Sequence, residues 1–468
     1  MISELKPYLE YKDSGLQWLE KIPSHWEEQR AKYLFREVDE RSIDGQEELL
    51  SVSHITGVTP RSQKNVTMFM AESYIGHKLC QPHDLIINTM WAWMAALGIA
   101  KQKGIVSPSY AVYRPANSNE FNPEFMDHLL RTDPYKTEYI CRSIGIRASR
   151  LRLYPEEFLE IPIACPPLED QIQMVAFLNS KDLFIRRFIR AKRRLIELLG
   201  EQKQAIIHRA ITRGFDPNVC LKPSGIEWLG EVPDHWRIEP AFVYFKEQFT
   251  PNTDNFVTNV LSLSYGKIIP RNVETNFGLL PASFETYQIV EPGNIIMRLT
   301  DLQNDQKSLR VGLSSHRGII TSAYLCLKVN EGIMPEYAYN LLHSYDLTKV
   351  FYGMGGGCRQ SIGYDDIKRL PILIPSLSEQ AEICKHIDSN IQLIDILTES
   401  TRKKIDSIRE YRTRLISDVV TGKLDVRSVT LPAAEAAEVP DKWDGTLEPE
   451  ADVSEGVDLF EVAQEEAD

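Results

Sequence analysis

The sequence predicts an α+β protein: two tandem α/β domains, an internal duplication of pseudo-twofold character, joined by two long antiparallel coiled-coil helices. Three observations predict it. A 15-residue segment returns at a constant offset of 210, each half carries short Val/Ile/Leu-rich runs bounded by Gly, Pro and Asn, and the tracts 169–212 and 378–421 contain no Pro and no Gly except Gly200.

The repeat is KDSGLQWLEKIPSHW (Lys12 to Trp26) and KPSGIEWLGEVPDHW (Lys222 to Trp236), identical at eight of fifteen positions. Similarity continues in order through each half. LLSVSHITGVTPR, ending at Arg61, answers to VLSLSYGKIIPR, ending at Arg271; DLIINTM at Asp84 resembles NIIMRLT at Asn294, and VSPSY at Val106 resembles ITSAY at Ile320. Gly145, Arg147 and Ser149 recur as Gly357, Arg359 and Ser361, and IPIACPPLEDQ and LPILIPSLSEQ close the series at Gln171 and Gln380. These correspondences divide the chain into a first domain (1–166), a first long helix (167–216), a second domain (217–375), a second long helix (376–425) and a tail (426–468). Within each domain the short apolar runs read as strands, with one helix near 123–141 or 335–351. Both helices open on a proline, Pro123 or Pro335, whose missing N–H costs nothing in a first turn. Trp91 and Trp93 alternate along a strand-like run, a pattern of core packing.

The two Pro-free tracts show alternating steps of four and three. The first visits Leu178, Ile185, Ile189, Ile196, Leu199, Ile206 and Ala210, interrupted by Asp182, Lys192 and Lys203; the second visits Ile387, Ile391, Ile394, Ile405, Ile408, Leu415 and Val419. That is a coiled-coil seam. A helix of this length spans on the order of 65 Å, too long to pack on one domain, so its economical partner is the other helix. Gly214 and Gly422 end both tracts, as a glycine past a helix does.

The net charge of −13 argues against a polyanionic partner only on average. From Thr430 to Asp468 there are thirteen acidic residues and one base, Lys442, which leaves 53 acids against 52 bases elsewhere. The body is near neutral, and the tail has the composition of a disordered segment. No apolar run reaches the roughly 18 residues of a membrane span, and MISELKPYLEYKDSG lacks a secretory core, so the expected location is the cytoplasm. Seven scattered cysteines without a Cys-x-x-Cys pair fit a reducing compartment and no zinc site.

Catalytic signatures are missing. Asn122-Pro123-Glu124-Phe125 and Asp133-Pro134-Tyr135 lack the second proline of an adenine-methyltransferase turn. Gly422-Lys423 is followed by Leu424 and preceded at phosphate-loop spacing by Ser417, not Gly. Glu201-Gln202-Lys203, the only nuclease-like triplet, sits on the long helix.

The segments SGLQWLEKIPSHW and SGIEWLGEVPDHW, together with IP-x-x-x-PPL-x-x-Q heading a long helix, resemble the specificity subunits of type I restriction-modification systems over about residues 8 to 425. The resemblance implies a non-catalytic subunit with two target-recognition domains, each reading one half of a split site in double-stranded DNA. It implies as partners two methyltransferase subunits, which bring S-adenosylmethionine, and motor-nuclease restriction subunits, which bring ATP and Mg; this chain would hold no cofactor or metal of its own. Sequence choice should lie where the halves diverge. Base edges favour Arg, Lys, Asn and Gln, so the candidates in the first domain are Arg61, Lys64, Asn65, Lys101 and Lys103. In the second they are Lys267, Arg271, Asn272, Gln303, Asn304, Lys307 and Arg310. Arg147, Ser149, Arg359 and Ser361, common to both halves, are expected to meet phosphate and position the duplex. The cluster Arg186, Arg187, Arg190, Lys192, Arg193, Arg194 reads as a solvated coiled-coil face or as a contact to DNA or a partner. Two other readings stay open: a recognition module serving a fused methyltransferase-nuclease, and an oligomerisation rod with no DNA role.

Overall fold

The computed structural model describes residues 5–14, 18–63, 73–117, 121–145, 151–271, 284–300, 302, 309–354 and 362–430. The chain forms two compact units. Residues up to Lys192 combine with those from Lys403 in the first, and Arg193–Arg402 makes the second.

The first unit centres on an antiparallel sheet of β1 (Phe35–Val38), β2 (Leu85–Ile87), β3 (Leu97–Ile99) and β4 (Ala111–Pro115), in the order β1-β4-β2-β3. Strands β2 and β3 are buried on both faces, which explains their unbroken apolar composition. Alternate side chains serve two cores. Leu85, Ile87, Leu97 and Tyr113 join Phe125, Met126, Leu129 and Leu130 of the helix α1 (Pro123–Leu130). Ile86 and Val112 face the other way, against Leu50, Val52, Val58, Cys80 and Val106. The helix expected over 123–141 is broken: α1 ends before Arg131, and α2 (Asp133–Arg142) restarts with Pro134 in its first turn. A proline tolerated there would have removed a hydrogen bond from a continuous helix.

In the second unit, β5 (Phe245–Glu247), β6 (Ile295–Met297), β7 (Val311–Leu313) and β8 (Leu325–Val329) repeat the arrangement in the order β5-β8-β6-β7. Ile295 and Met297 pack with Tyr337, Leu341 and Leu342 of the helix α4 (Pro335–Leu347), and Ile296 and Cys326 with Leu261, Ile268 and Val290. The long helices are α3 (Leu168–Arg213) and α5 (Leu377–Val420).

Each unit takes part of both long helices. In the first, Arg412 of α5 pairs with Asp182 of α3; in the second, Lys203 of α3 lies 2.9 Å from Asp395 of α5. Low numbers on one helix meet high numbers on the other within each unit, so the strands of the pair run antiparallel. The expected seam residues are buried or half-buried throughout, and its polar interruptions are paired: Asp182 and Lys203 in these bridges, and Lys192 over the Phe188 ring at 5.4 Å. Leu415, Val419, Val420 and Val426 belong to the first core, and the Asp425 backbone N–H donates to the Lys6 carbonyl at 2.8 Å. Gly422 turns the chain there at φ +79°, and a Cβ on it would lie 2.5 Å from Pro23.

The glutamine that closes each Pro-rich motif is fully buried. Gln171 accepts from the Asn122 N–H at 2.7 Å and donates to the Pro166 carbonyl at 2.8 Å. Gln380 accepts from Met334 N–H at 2.8 Å and donates to the Pro375 and Gly332 carbonyls. Each glutamine fixes the first turn of the domain helix to the head of a long helix.

Trp26 and Trp236, which recur in the repeated segment, are buried, and Trp228 is partly exposed, edge-on to Tyr345 at 4.9 Å. Trp91 and Trp93 are not on a strand. The Asn88 side chain accepts from the Met90 N–H, residues 92–94 form a 3₁₀ turn, and the two half-buried indoles stack at 5.8 Å.

Candidate nucleic-acid interface

Beside each sheet lies a two-stranded hairpin that carries predicted contact residues. In the first unit Leu50–Ser53 pairs with Gly57–Pro60, and Arg61 follows in a 3₁₀ turn, its N–H bonded to the Leu49 carbonyl at 2.9 Å. The loop 101–104 comes to the same place, because Ile105 N–H reaches the Glu48 carbonyl at 2.9 Å. Arg61 is thereby gathered about the segment Glu47–Leu49 with Lys101 and Lys103, which lie 40 and 42 positions further along the chain. Lys103 lies 3.7 Å from Glu47, and Ser62 donates to Glu48 at 2.5 Å. A hydrogen bond from Ser42, with the Lys103 charge adding to it, holds the Glu47 carboxyl below the ordinary carboxylate value. Lys101 is exposed and has no ion-pair partner among the described residues.

Lys101 also lines a cleft of about 460 Å³ in the first unit, shared with Asp127 of α1, Arg131 just past its end, Lys181 and Arg186 of α3 and Arg412 of α5. Burial pushes the Asp182 carboxyl up, but the charges and hydrogen bonds of Arg412 and Arg186 outweigh it and hold it below its usual value. Arg186 is thus occupied by Asp182 at 2.7 Å, and Arg194 by Glu197 at 2.8 Å, while Arg187 and Arg190 are exposed. Much of the basic run is a charged helix face knit to its own neighbours.

In the second unit Leu261–Ser264 pairs with Lys267–Pro270. Lys267 is exposed; Arg271 is half-buried, its N–H on the Val260 carbonyl at 2.7 Å. Arg310 corrects an expectation. It is fully buried, its guanidinium donating to Tyr352 at 2.9 Å and to the Arg298 and Thr300 carbonyls at 3.1 and 2.7 Å, with its N–H on Asp346. A guanidinium held inside the domain positions the chain around it and cannot read a base. Lys64, Asn65, Arg147, Ser149, Asn272, Gln303, Asn304, Lys307, Arg359 and Ser361 lie outside the described residues, as does the tail from Leu431.

The structure adds residues that sequence reasoning missed. Arg131 donates to the His54 and Ile55 carbonyls at 2.9 and 2.6 Å, and the Tyr339 hydroxyl donates to the Gly266 carbonyl at 3.1 Å, so both hairpin tips are tied to the domain helix. Arg114 forks onto Asp84, which is 1% exposed, with both bonds at 3.1 Å, and onto Glu40. None of these pairs has a local spacing that would reveal it.

No family model matches the chain. Over 321 residues it is 25% identical to a Methanocaldococcus jannaschii protein named as the specificity subunit of the type I restriction enzyme MjaX, covering 67% of this chain and 70% of that one. It is 24% identical over 294 residues to the MjaVIII type I restriction enzyme specificity subunit of the same organism, spanning 58% of this chain and 64%, less than two thirds, of the relative. A solved structure from work on complex assembly and conformational transition of the type I R-M system superposes with a TM-score of 0.58 at 15% identity, over 86% of this chain and 99% of that one, a likeness of fold. In sequence this chain is similar to specificity subunits of type I restriction enzymes, and in fold it is similar to a chain of a type I R-M system.

Proposed function

We propose that this chain is the DNA-recognition subunit of a type I restriction-modification assembly in the cytoplasm, non-catalytic itself, with each unit reading one half of a bipartite, asymmetric site. The observation that carries the reading is a repeated mount with a diverged edge. The same strand order and the same tethered hairpin occur twice, while the hairpin tips and the 101–104 and 307–312 segments differ. Two related but unequal readers suit two unequal half-sites. Lys101, Lys103, Lys267, Arg61 and Arg271 are the described candidates for DNA contact, and Arg147, Ser149, Arg359 and Ser361 remain the proposed positioning pairs. The chemistry falls to partners: two methyltransferase subunits would supply S-adenosylmethionine and modify a flipped adenine in each half-site, and restriction subunits would supply ATP and Mg for cleavage.

Sequencing the methylated motifs of the host tests this directly. Exchange of residues 217–375 for the equivalent segment of another such subunit is expected to change one half of the motif and leave the other. A motif unchanged by the exchange, or duplex binding that does not weaken as salt rises, would reject the reading and favour a purely structural helical rod.

A further inference from the structure

The second hairpin turns in only two residues: Ser264 pairs with Lys267, leaving Tyr265 and Gly266 between them. Both have positive φ, +47° and +75°, the I′ geometry whose twist matches a hairpin. Glycine adopts this freely. Tyrosine does not, because its Cβ crowds the following carbonyl, and asparagine is the ordinary choice at that position. Among the described residues the ring gains nothing in return. Tyr265 is 78% exposed, and among the described residues nothing hydrogen-bonds its hydroxyl or stacks on its ring.

The base of this ring is nevertheless held firmly. Tyr339 of α4 donates to the Gly266 carbonyl at 3.1 Å, its own ring stacks on His343 at 5.5 Å, and Gly266 packs on Leu309. Lys267, exposed, follows at once. A strained, outward aromatic on a fixed mount, with a cation beside it, suits a nucleotide: the ring meets a base face and the ammonium a phosphate. In the first unit the tip is three residues long, His54 to Thr56, and presents Ile55, 49% exposed, while Arg131 supplies the tether. The mount is shared and the tip is not.

We propose that Tyr265 is a specificity-determining DNA contact of the second unit, its ring packed on a base of that unit's half-site with Lys267 on the adjoining phosphate. The proposal rests on the DNA-recognition reading given above. It is tested with Tyr265→Asn, which keeps the favoured turn chemistry while deleting the ring, and Tyr265→Phe, which keeps the ring. The full chain, co-produced with its methyltransferase partner, is titrated with duplex carrying the host's methylated motif and with duplexes altered in one half-site. Tyr265→Asn is expected to melt no lower than the parent, yet to lose about tenfold in affinity and to discriminate less at the second unit's half-site alone. Tyr265→Phe should stay within about threefold of the parent, and Ile55→Asn should leave that half-site's preference intact. Parent-like binding and discrimination by Tyr265→Asn overturns the inference, as does failure of that variant to assemble with the methyltransferase, which would mark Tyr265 as a protein contact. If the parent complex itself binds no duplex, the DNA-recognition reading fails and takes this inference with it.

Discussion

Replacing Gln171 by leucine keeps nearly the same volume at the head of α3 and removes two hydrogen bonds, a part-buried one from the Asn122 N–H at 2.7 Å and a buried one to the Pro166 carbonyl at 2.8 Å. What matters is the groups left behind. A buried polar group stripped of its partner costs about 1–3 kcal/mol. The N–H has no second option, because its own residue caps α1 with its side chain, accepting from Glu124 and Phe125. Because the N–H is only part-buried and the carbonyl oxygen has a second lone pair, each falls in the lower part of that range, and the two together give a loss of about 2–4 kcal/mol. The effect should be local, since the bonds tie the first turn of α1 to the first turn of α3. Hydrogen exchange of peptides spanning 121–131 measures it. At tenfold per 1.4 kcal/mol, protection is expected to fall by about 30- to 700-fold there, with peptides spanning 333–343 unchanged. Gln380→Leu should reverse the pattern, exposing the Met334 N–H and leaving 121–131 protected. Protection altered by less than about threefold, or lost equally in both units after a single substitution, would refute the reasoning.

Burial, helped by the Lys203 charge, pushes the His343 imidazole down from 6.5 to about 4. The unfolded chain therefore takes up that proton first, so the second unit should lose stability as pH falls from about 6.5 towards 4, by up to about 3 kcal/mol at 1.36 kcal/mol per unit. His343→Gln should flatten that slope in urea titrations, and a slope unchanged by it would reject the assignment. Arg114→Met should cost the first unit about 3–5 kcal/mol by leaving Asp84 buried and unpaired, with Asp84→Asn in the same chain recovering much of it; a urea midpoint unmoved by Arg114→Met would contradict this. Lys101→Ala with Lys103→Ala should lower the salt slope of duplex binding by about 1–2 if both reach phosphate, and an identical slope would remove them from the interface.

The duplication, the long helices and the seam were legible because they are written in spacing, which needs no tertiary context. The break in the 123–141 helix was also written there, in Pro134, but the apolar periodicity on either side masks it. Arg310 shows the limit of composition. Among Lys307, Gln303 and Asn304 it resembles a surface cation, and only the convergence of two carbonyls and Tyr352 from distant segments makes an interior site for it. Trp91 and Trp93 fail for a related reason, since an asparagine side chain that captures a nearby N–H overrides an alternating pattern. The gathering of Arg61 with Lys101 and Lys103 depends on a strand bridge between Leu49 and Ile105, a pairing that neither segment announces.

Because Leu415, Val419, Val420 and Val426 complete the first core, while Arg193–Arg402 is continuous, the second unit is in effect inserted into the first. On the ribosome, residues 193–402 can therefore close their interior as they emerge, whereas the amino-terminal half must wait for the last helix to be made. A nascent chain released near Arg402 would carry a finished second unit and an open first one, so pulse-labelled translation intermediates should acquire protease resistance in the reverse of their order of synthesis.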